Sequence, residues 1–448
     1  MADIKVDFSS APIGKIRQLH GVNSGPMTKA FTYDSRDFFR EAGFPFARLH
    51  DVEYPYGSGE FVDIPCIFKN FDADESLEEN YNFSLSDEYI KHIIGTGCKP
   101  FFRLGVSIEH APIKRHVFPP KNYAKWARIC EHIIRHYNEG WANGYHWDIT
   151  YWEIWNEADG GSNMWVGTPG EFYELYCVSA RHLKSTFPHL KIGGCGFTRA
   201  KNTFTENFLK YISSSEERVP LDFYSWHRYF IDPEDFIEDS AQARQLLDKY
   251  GYSHVESVFN EWNYMRDWKD QFDSYPKIKS YVGAAYCAAV LCAMQTRTDV
   301  ELGMYFEADV TKEWCGLFEV THMAISRQRA ILGPLKPFYS FKCFNELYSM
   351  GNEIAVKCDG DVYACAASDN ERRGLLLTNY GGEARALSIS LTGLAKTNVE
   401  VRVTDADRSY EKIYEASACD ALELQLDVAE NTVVYIGTII DDTGKNDK

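Results

Sequence analysis

Two glutamates carry the most pointed chemical signal in the sequence. Glu157 closes the run Trp152-Glu153-Ile154-Trp155-Asn156-Glu157, and Glu261 sits in Val258-Phe259-Asn260-Glu261-Trp262-Asn263. Each follows a short apolar stretch and an asparagine. A pair of carboxyl groups is what cleavage of a glycosidic bond needs: one protonates the departing oxygen, the other attacks or activates water. For direct attack the two must stand about 5–5.5 Å apart. Burial and a neighbouring negative charge must hold one of them protonated while the other stays ionised. Trp155 and Trp262, next to the pair in sequence, would supply apolar walls for that tuning. A single Asn-Glu is often only a polar cap or half of an ion pair. Two of them at corresponding places point to catalysis.

Two further runs, Arg48-Leu49-His50-Asp51 and Ser225-Trp226-His227-Arg228-Tyr229, bring His50, His227 and Tyr229 towards the same place. A lone strand histidine is more often structural, but these three converge. A phenol such as that of Tyr229 could hold Glu261 ionised and oriented. No H-E-x-x-H occurs and the histidines do not repeat at ligand spacing, so neither a metal nor another cofactor is expected. No G-x-S-x-G occurs either, which removes the commonest serine nucleophile.

Something must bring these residues together. Short apolar runs alternate with amphipathic helical stretches from about residue 17 to about residue 350. The predicted strands are Arg17–Asn23, Phe46–Asp51, Pro100–Gly105, Tyr151–Asn156, Lys191–Gly196, Asp222–His227, Val255–Glu261 and Leu302–Glu307. Eight strands each followed by a helix is the count of a (β/α)₈ TIM barrel, whose active sites form at the carboxyl ends of its strands. Glu157 and Glu261 then close the fourth and seventh strands, across the mouth from each other. An open doubly wound sheet would need a glycine-rich turn after its first strand, and none is present. After Gly351 the pattern changes to period two, as in Leu387, Ile389, Leu391 and Val399, Val401, Val403. The reading is therefore a barrel over 14–351, a small antiparallel β-sandwich over 352–440 joined by 1–13, and a polar tail at 441–448. The loop from Asp51 to Asn82, with Tyr54, Tyr56 and Phe61, is the candidate movable part of the mouth.

Composition narrows the partners. With 65 acidic and 47 basic residues the net charge is −18, which disfavours nucleic acid and anionic membrane surfaces. The longest nearly apolar run, Tyr281 to Met294, is too short to span a bilayer. The 12 scattered cysteines form no C-x-x-C pair, and the opening residues lack a secretory signal, so a cytoplasmic location is expected. Oligomeric state is not legible.

The motifs Trp155-Asn156-Glu157, His227-x-Tyr229 and Glu261-Trp262-Asn263 resemble clan A retaining glycoside hydrolases, and most of all glycoside hydrolase family 39, the β-xylosidase and α-L-iduronidase family. Tyr81-Asn82-Phe83 through Cys98-Lys99-Pro100-Phe101-Phe102, and Lys336-Pro337-Phe338-Tyr339-Ser340-Phe341, are similar to that family's flanking segments. The resemblance implies Glu157 as general acid/base and Glu261 as nucleophile, with Asn156 bonding the sugar 2-hydroxyl and His50, His227 and Tyr229 lining the same subsite. Its partner would be a carbohydrate substrate. Two positions depart from the family: Arg103 stands where a glutamate is common, and Met304-Tyr305-Phe306-Glu307 where a tryptophan is common. Arg103 and Tyr305 are therefore candidate substrate contacts, although Arg103 would more readily pair with Asp51 or Glu153. The leading expectation is a retaining exo-acting β-xylosidase. The alternatives are the same chemistry on an α-L-arabinofuranoside or a uronic acid glycoside, and a non-catalytic carbohydrate-binding barrel, which would bind without releasing product.

Overall fold

The eight apolar runs form the parallel strands of a closed barrel: β1 (Gln18–Asn23), β2 (Phe46–Arg48), β3 (Lys99–Leu104), β4 (Tyr151–Ile154), β5 (Lys191–Phe197), β6 (Phe223–Tyr229), β7 (Glu256–Asn263) and β8 (Val300–Tyr305). A helix follows each: α1 (Arg36–Ala42), α2 (Ser84–Ile94), α3 (Tyr123–Glu139), α4 (Pro169–Thr186), α5 (Thr203–Ser213), α6 (Pro233–Lys249), α7 (Tyr281–Arg297) and α8 (Lys336–Met350). The computed structural model describes residues 3–26, 28–29, 33–52, 60–308, 314–323, 328–358 and 362–439. Residues 441–448, read as a polar tail, lie outside these.

Local chemistry sets the helix ends. Thr168 and Glu171 form a capping box ahead of α4, with Pro169 in its first turn, where a missing N–H costs nothing. Asn122 caps α3, and Gly140 stops it with φ +75°. Helix α7 is buried from Gly283 to Gln295 because it lies between the barrel and the second sheet. Its Cys292 comes within 3.3 Å of Cys365 on that sheet. All twelve cysteines are free thiols. Among the described residues no helix is long and apolar enough to cross a membrane.

The second region is one nine-stranded sheet folded around its own core. It contains β9 (Asn352–Ile354), β10 (Val356–Cys358), β11 (Tyr363–Ser368), β12 (Arg373–Asn379), β13 (Arg385–Thr404), β14 (Glu411–Val428) and β15 (Thr432–Ile439), with two N-terminal strands. The 20-residue β13 joins its two halves: Ile389–Thr392 pair with Ile4–Asp7, whereas residues 398–404 pair with β15. A shift of register between Thr392 and Lys396 bends the strand. Ile4, Val6, Leu375, Leu377, Ile389, Val401 and Val434 fill the enclosed core.

Two details depart from the sequence reading. The sheet is mixed rather than purely antiparallel, since Ile4–Asp7 runs parallel to β13 while pairing antiparallel with β10. Residues 14 and 15, assigned to the barrel, pair instead with Asn352 and Glu353, so the sheet reaches past the expected boundary and the barrel begins at Gln18. The reason is backbone hydrogen bonding: β9 offers an open edge directly beside the chain as it enters the barrel.

Candidate active site

The strands carry a buried polar layer just below the barrel mouth. Arg48, fully buried at the end of β2, donates from Nε to Glu153 (2.8 Å), from Nη1 to Glu261 (3.0 Å) and Asn23 (3.1 Å), and from Nη2 to the Asn156 carbonyl (2.5 Å). The second oxygen of Glu153 accepts from Ser225 Oγ and Asn260 Nδ2, each at 2.6 Å. Buried ions persist only when paired and hydrogen-bonded in this way. Gly196 makes the crowding possible. A Cβ there would come within 3.0 Å of Arg48 Nη2, Asn156 Oδ1 and His227 Nε2, and its φ of +54° also favours glycine.

Glu157 and Glu261 rest on this layer. Glu157, at φ +44°, is pinned by its own N–H donating to the Gly196 carbonyl (2.9 Å). Non-glycine residues in this backbone region are uncommon and cluster at functional sites. Tyr229 donates its hydroxyl to Glu261 Oε1 at 2.6 Å, while Arg48 holds Oε2. His227 Nδ1 shares a hydrogen bond with Glu157 Oε1 (2.8 Å) and lies 3.5 Å from Glu261 Oε2. One oxygen of each glutamate and a ring nitrogen of His227 all lie within 4.8 Å of one another.

Their electrostatics differ. Burial, and then the charge of Asp159, push the Glu157 carboxyl up to about 8 against the pull of Arg48. Burial raises the Glu261 carboxyl too, but the neighbouring His227, Arg48 and the Tyr229 hydroxyl all oppose it. Burial lowers His227 to about 4, so its imidazole is neutral near pH 7. The two glutamates and His227 are close enough to share a cation. However, Glu261 already faces a guanidinium and a phenol, an arrangement that stabilises a carboxylate and suits proton chemistry better than metal ligation.

Above the pair opens a cavity of about 720 Å³. Of the residues singled out from sequence, His50, Glu157, Tyr229 and Glu261 line it. His227 and Asn156 are buried at 0% and 1% exposure, and touch the pair from below through Glu157 and Arg48. Arg103 and Tyr305 are not brought to the cavity. The Arg103 guanidinium is taken up by Asp63 at 2.5 Å, not by Asp51 or Glu153, and the same carboxylate accepts the N–H of Ser107. Tyr305 points outward onto Trp262 and Phe341 of α8, with ring centroids 5.1 and 5.3 Å away. Its neighbour Phe306 lines the cavity instead, because successive strand residues face opposite sides. Trp155 and Trp262 also face the helical layer, Trp155 against Trp126 and Trp165. Tyr54 and Tyr56 lie outside the described residues, and Phe61 is buried.

Sequence reasoning missed the residues that hold the pair in place, Arg48, Glu153 and Asn260. It missed the rim aromatics as well. Trp268, half exposed, meets Tyr229 and Trp314 at 5.1 and 5.7 Å, and Trp314 stacks on Phe306 at 5.9 Å. A signal existed for Arg48: a charge inside the apolar run Phe46–Leu49 must find a partner.

A (β/α)₈ barrel with two glutamates facing each other from the ends of β4 and β7 defines the class, a barrel glycoside hydrolase. The sequence pattern of Glycosyl hydrolases family 39 matches residues 14–292, more than half of the chain, and the chain belongs to that family. It is similar to a β-xylosidase of Geobacillus stearothermophilus, 25% identical over 356 residues that span 72% of this chain and 67% of that protein. It is also similar to a β-xylosidase of Caldicellulosiruptor saccharolyticus, 24% identical over 398 residues, 82% and 76% of the two chains. In fold it resembles the crystal structure of a glucosidase from Croceicoccus marinus, with a TM-score of 0.80 at 24% identity, covering 98% of this chain and all of that one.

Proposed function

We propose that this chain is a retaining, exo-acting β-xylosidase in which Glu157 is the general acid/base and Glu261 the nucleophile. The observation that carries the reading is the spacing of the pair, with an oxygen of each within 4.8 Å of the other. An inverting pair, about 6.5–9.5 Å apart, leaves room for a water between its members; a retaining pair does not. Glu157, held protonated by burial and Asp159, gives its proton to the departing oxygen as Glu261 attacks the anomeric carbon. Glu261, bonded by Tyr229 and Arg48, is the better oriented carboxylate. In the second step Glu157, now ionised, takes a proton from the water that releases the sugar. The Asn156 side-chain carbonyl is engaged by Arg48, and among the described residues its amide nitrogen meets only Met164 Sδ, at 3.9 Å. The family resemblance assigns that nitrogen to the sugar 2-hydroxyl, from a position beneath the cavity wall at 1% exposure.

The choice of xylose follows the two relatives named as β-xylosidases. The fold neighbour named as a glucosidase makes a glucoside the second candidate. Initial rates on aryl β-D-xyloside, β-D-glucoside, α-L-arabinofuranoside and β-D-glucuronide decide between them, with Glu261→Gln as control. Release from the xyloside that disappears in the variant is the expected result; a variant keeping most of its activity overturns the assignment of the nucleophile. Glu157→Ala is expected to slow substrates with poor leaving groups by about 10²–10⁴-fold and activated aryl glycosides far less, because only the former need a proton. Equal losses on both remove the acid role.

A further inference from the structure

We infer that the outer, leaving-group part of this pocket is built for a leaving group that carries a carboxylate; the inference rests on the glycosidase reading above. The chain is acidic, at −18, and most of its arginines are spoken for: Arg36, Arg135, Arg244 and Arg297 all sit in ion pairs. Three arginines line the cavity. Arg228 is taken up by Asp235 at 3.2 Å and Asp239 at 3.5 Å. Arg199 and Arg266 are different. Both are exposed on the cavity rim, and among the described residues neither guanidinium makes an ion pair or a hydrogen bond.

Their placement assigns them to the leaving group. Arg199 follows Thr198, which Asp159 fastens through its N–H (3.0 Å) and Oγ1 (2.6 Å), and the same segment supplies the Gly196 carbonyl that pins Glu157. Arg199 therefore stands on the wall of the general acid, the side from which the proton reaches the departing oxygen. Arg266 lies five residues beyond Glu261, next to the exposed Trp268. The sugar being released occupies the base of the pocket, where the two carboxyl groups are nearly buried. Groups on the rim then meet what it is attached to. Of the two aspartates lining the cavity, Asp51 accepts the N–H of Ile108 at 2.9 Å and Asp267 that of Lys269 at 2.9 Å, capping the Trp268 turn. Two planar cations beside an aromatic face recognise a flat ring bearing a carboxylate, through paired N–H donors and stacking. Such a leaving group has two chemical sources, an acidic sugar and an aromatic acid.

The test compares matched leaving groups on one glycon. The 4-carboxyphenyl β-D-xyloside is set against its methyl ester, and a β-xylosyl disaccharide ending in glucuronate against the same disaccharide ending in glucose. In at least one pair the charged substrate is expected to have a kcat/KM about tenfold higher at low salt, an advantage that shrinks as salt is added. In the Arg199→Gln/Arg266→Gln double variant the ratio is expected to fall to about one. Which pair shows the preference identifies the source. No preference in either pair, or one that the double variant keeps, overturns the inference. Hydrolysis of the neutral methyl ester separately tests the β-xylosidase reading, so the two can fail independently. Calorimetry on the unaltered protein needs no turnover. Glucuronate or 4-hydroxybenzoate is expected to bind about tenfold more tightly than glucose or 4-hydroxybenzamide, and equal binding overturns the inference.

Discussion

At the base of the barrel Phe46, Phe101, Phe223, Val258, Leu302 and Met304 pack into an apolar plug. Two residues further along the same strands, Phe46 gives way to Arg48, Tyr151 to Glu153, Phe223 to Ser225 and Val258 to Asn260. Both layers point inward, since side chains on one face of a strand recur every second residue. The lower layer gains stability from burial alone and would accept other apolar residues of similar volume. The upper layer buries a guanidinium and a carboxylate that a hydrophobic filling would often replace without loss of stability. What it provides instead is a fixed position and charge for Glu261.

The widest separation between the layers is expected from single truncations. Glu261→Gln should cut turnover by roughly 10⁴-fold while leaving the fold intact. Phe223→Ala should destabilise by about 3–5 kcal/mol and leave kcat within a few-fold. Chemical denaturation and steady-state kinetics on both variants check the contrast, and a large kcat loss in Phe223→Ala would break it. Next in size, Arg48→Met should cost about 3–5 kcal/mol because it strands the buried Glu153 charge. Adding Glu153→Gln should restore much of that stability but not the activity. Recovery of both together would mean that Arg48 does no positioning. Tyr229→Phe removes one hydrogen bond to a charged group and should lower kcat by about 10–100-fold, with little change in melting temperature.

The most gradual effect is read from pH. Glu157 must be protonated to act as acid, so activity should fall as pH rises through about 8. It should also fall on the acid side as Glu261 gains a proton, above the usual carboxylate range. The two limbs belong to the coupled pair. Stability has a definite sign as well. Between the ordinary value of 4.5 and about 8 the folded protein holds a Glu157 proton that the unfolded chain has released, so rising pH destabilises the fold by up to about 1.4 kcal/mol per unit. Glu157→Gln should therefore melt higher than the parent at pH 8, and the gap should close near pH 4.5.

The barrel was legible because its strands are short apolar runs, and because helices such as α3 and α4 carry an apolar stripe and a side-chain cap. The strand ends then placed Glu157 and Glu261 with no further information. Arg48 and Glu153 were not legible as partners: they are distant in sequence, and only barrel closure brings them together. Tyr305 was misplaced by one residue. In a strand that is enough to exchange the inner face for the outer, and β7 and β8 shift register beside Trp262 and Tyr305. Arg103, a candidate substrate contact in the sequence, is held away from the cavity by Asp63, which sits in the β2–α2 loop, where no periodicity reports on position. Trp268 and Trp314 are equally invisible, being loop residues. The parallel orientation of Ile4–Asp7 leaves no trace in a pattern that alternates identically in either direction.

That N-terminal strand has a consequence for how the protein is made. Ile4 lies opposite Ile389, and Lys15 opposite Asn352. At about 5–20 residues per second on the ribosome, the first segment waits roughly 20–80 s for its partner to be synthesised. The whole barrel emerges in that interval and can close on its own local contacts, while Ile4, Val6 and Phe8 remain an apolar strand with nothing to pair. A strand made before the barrel is thus among the last elements to settle, and when it does it fastens the finished barrel at both its entry and its exit.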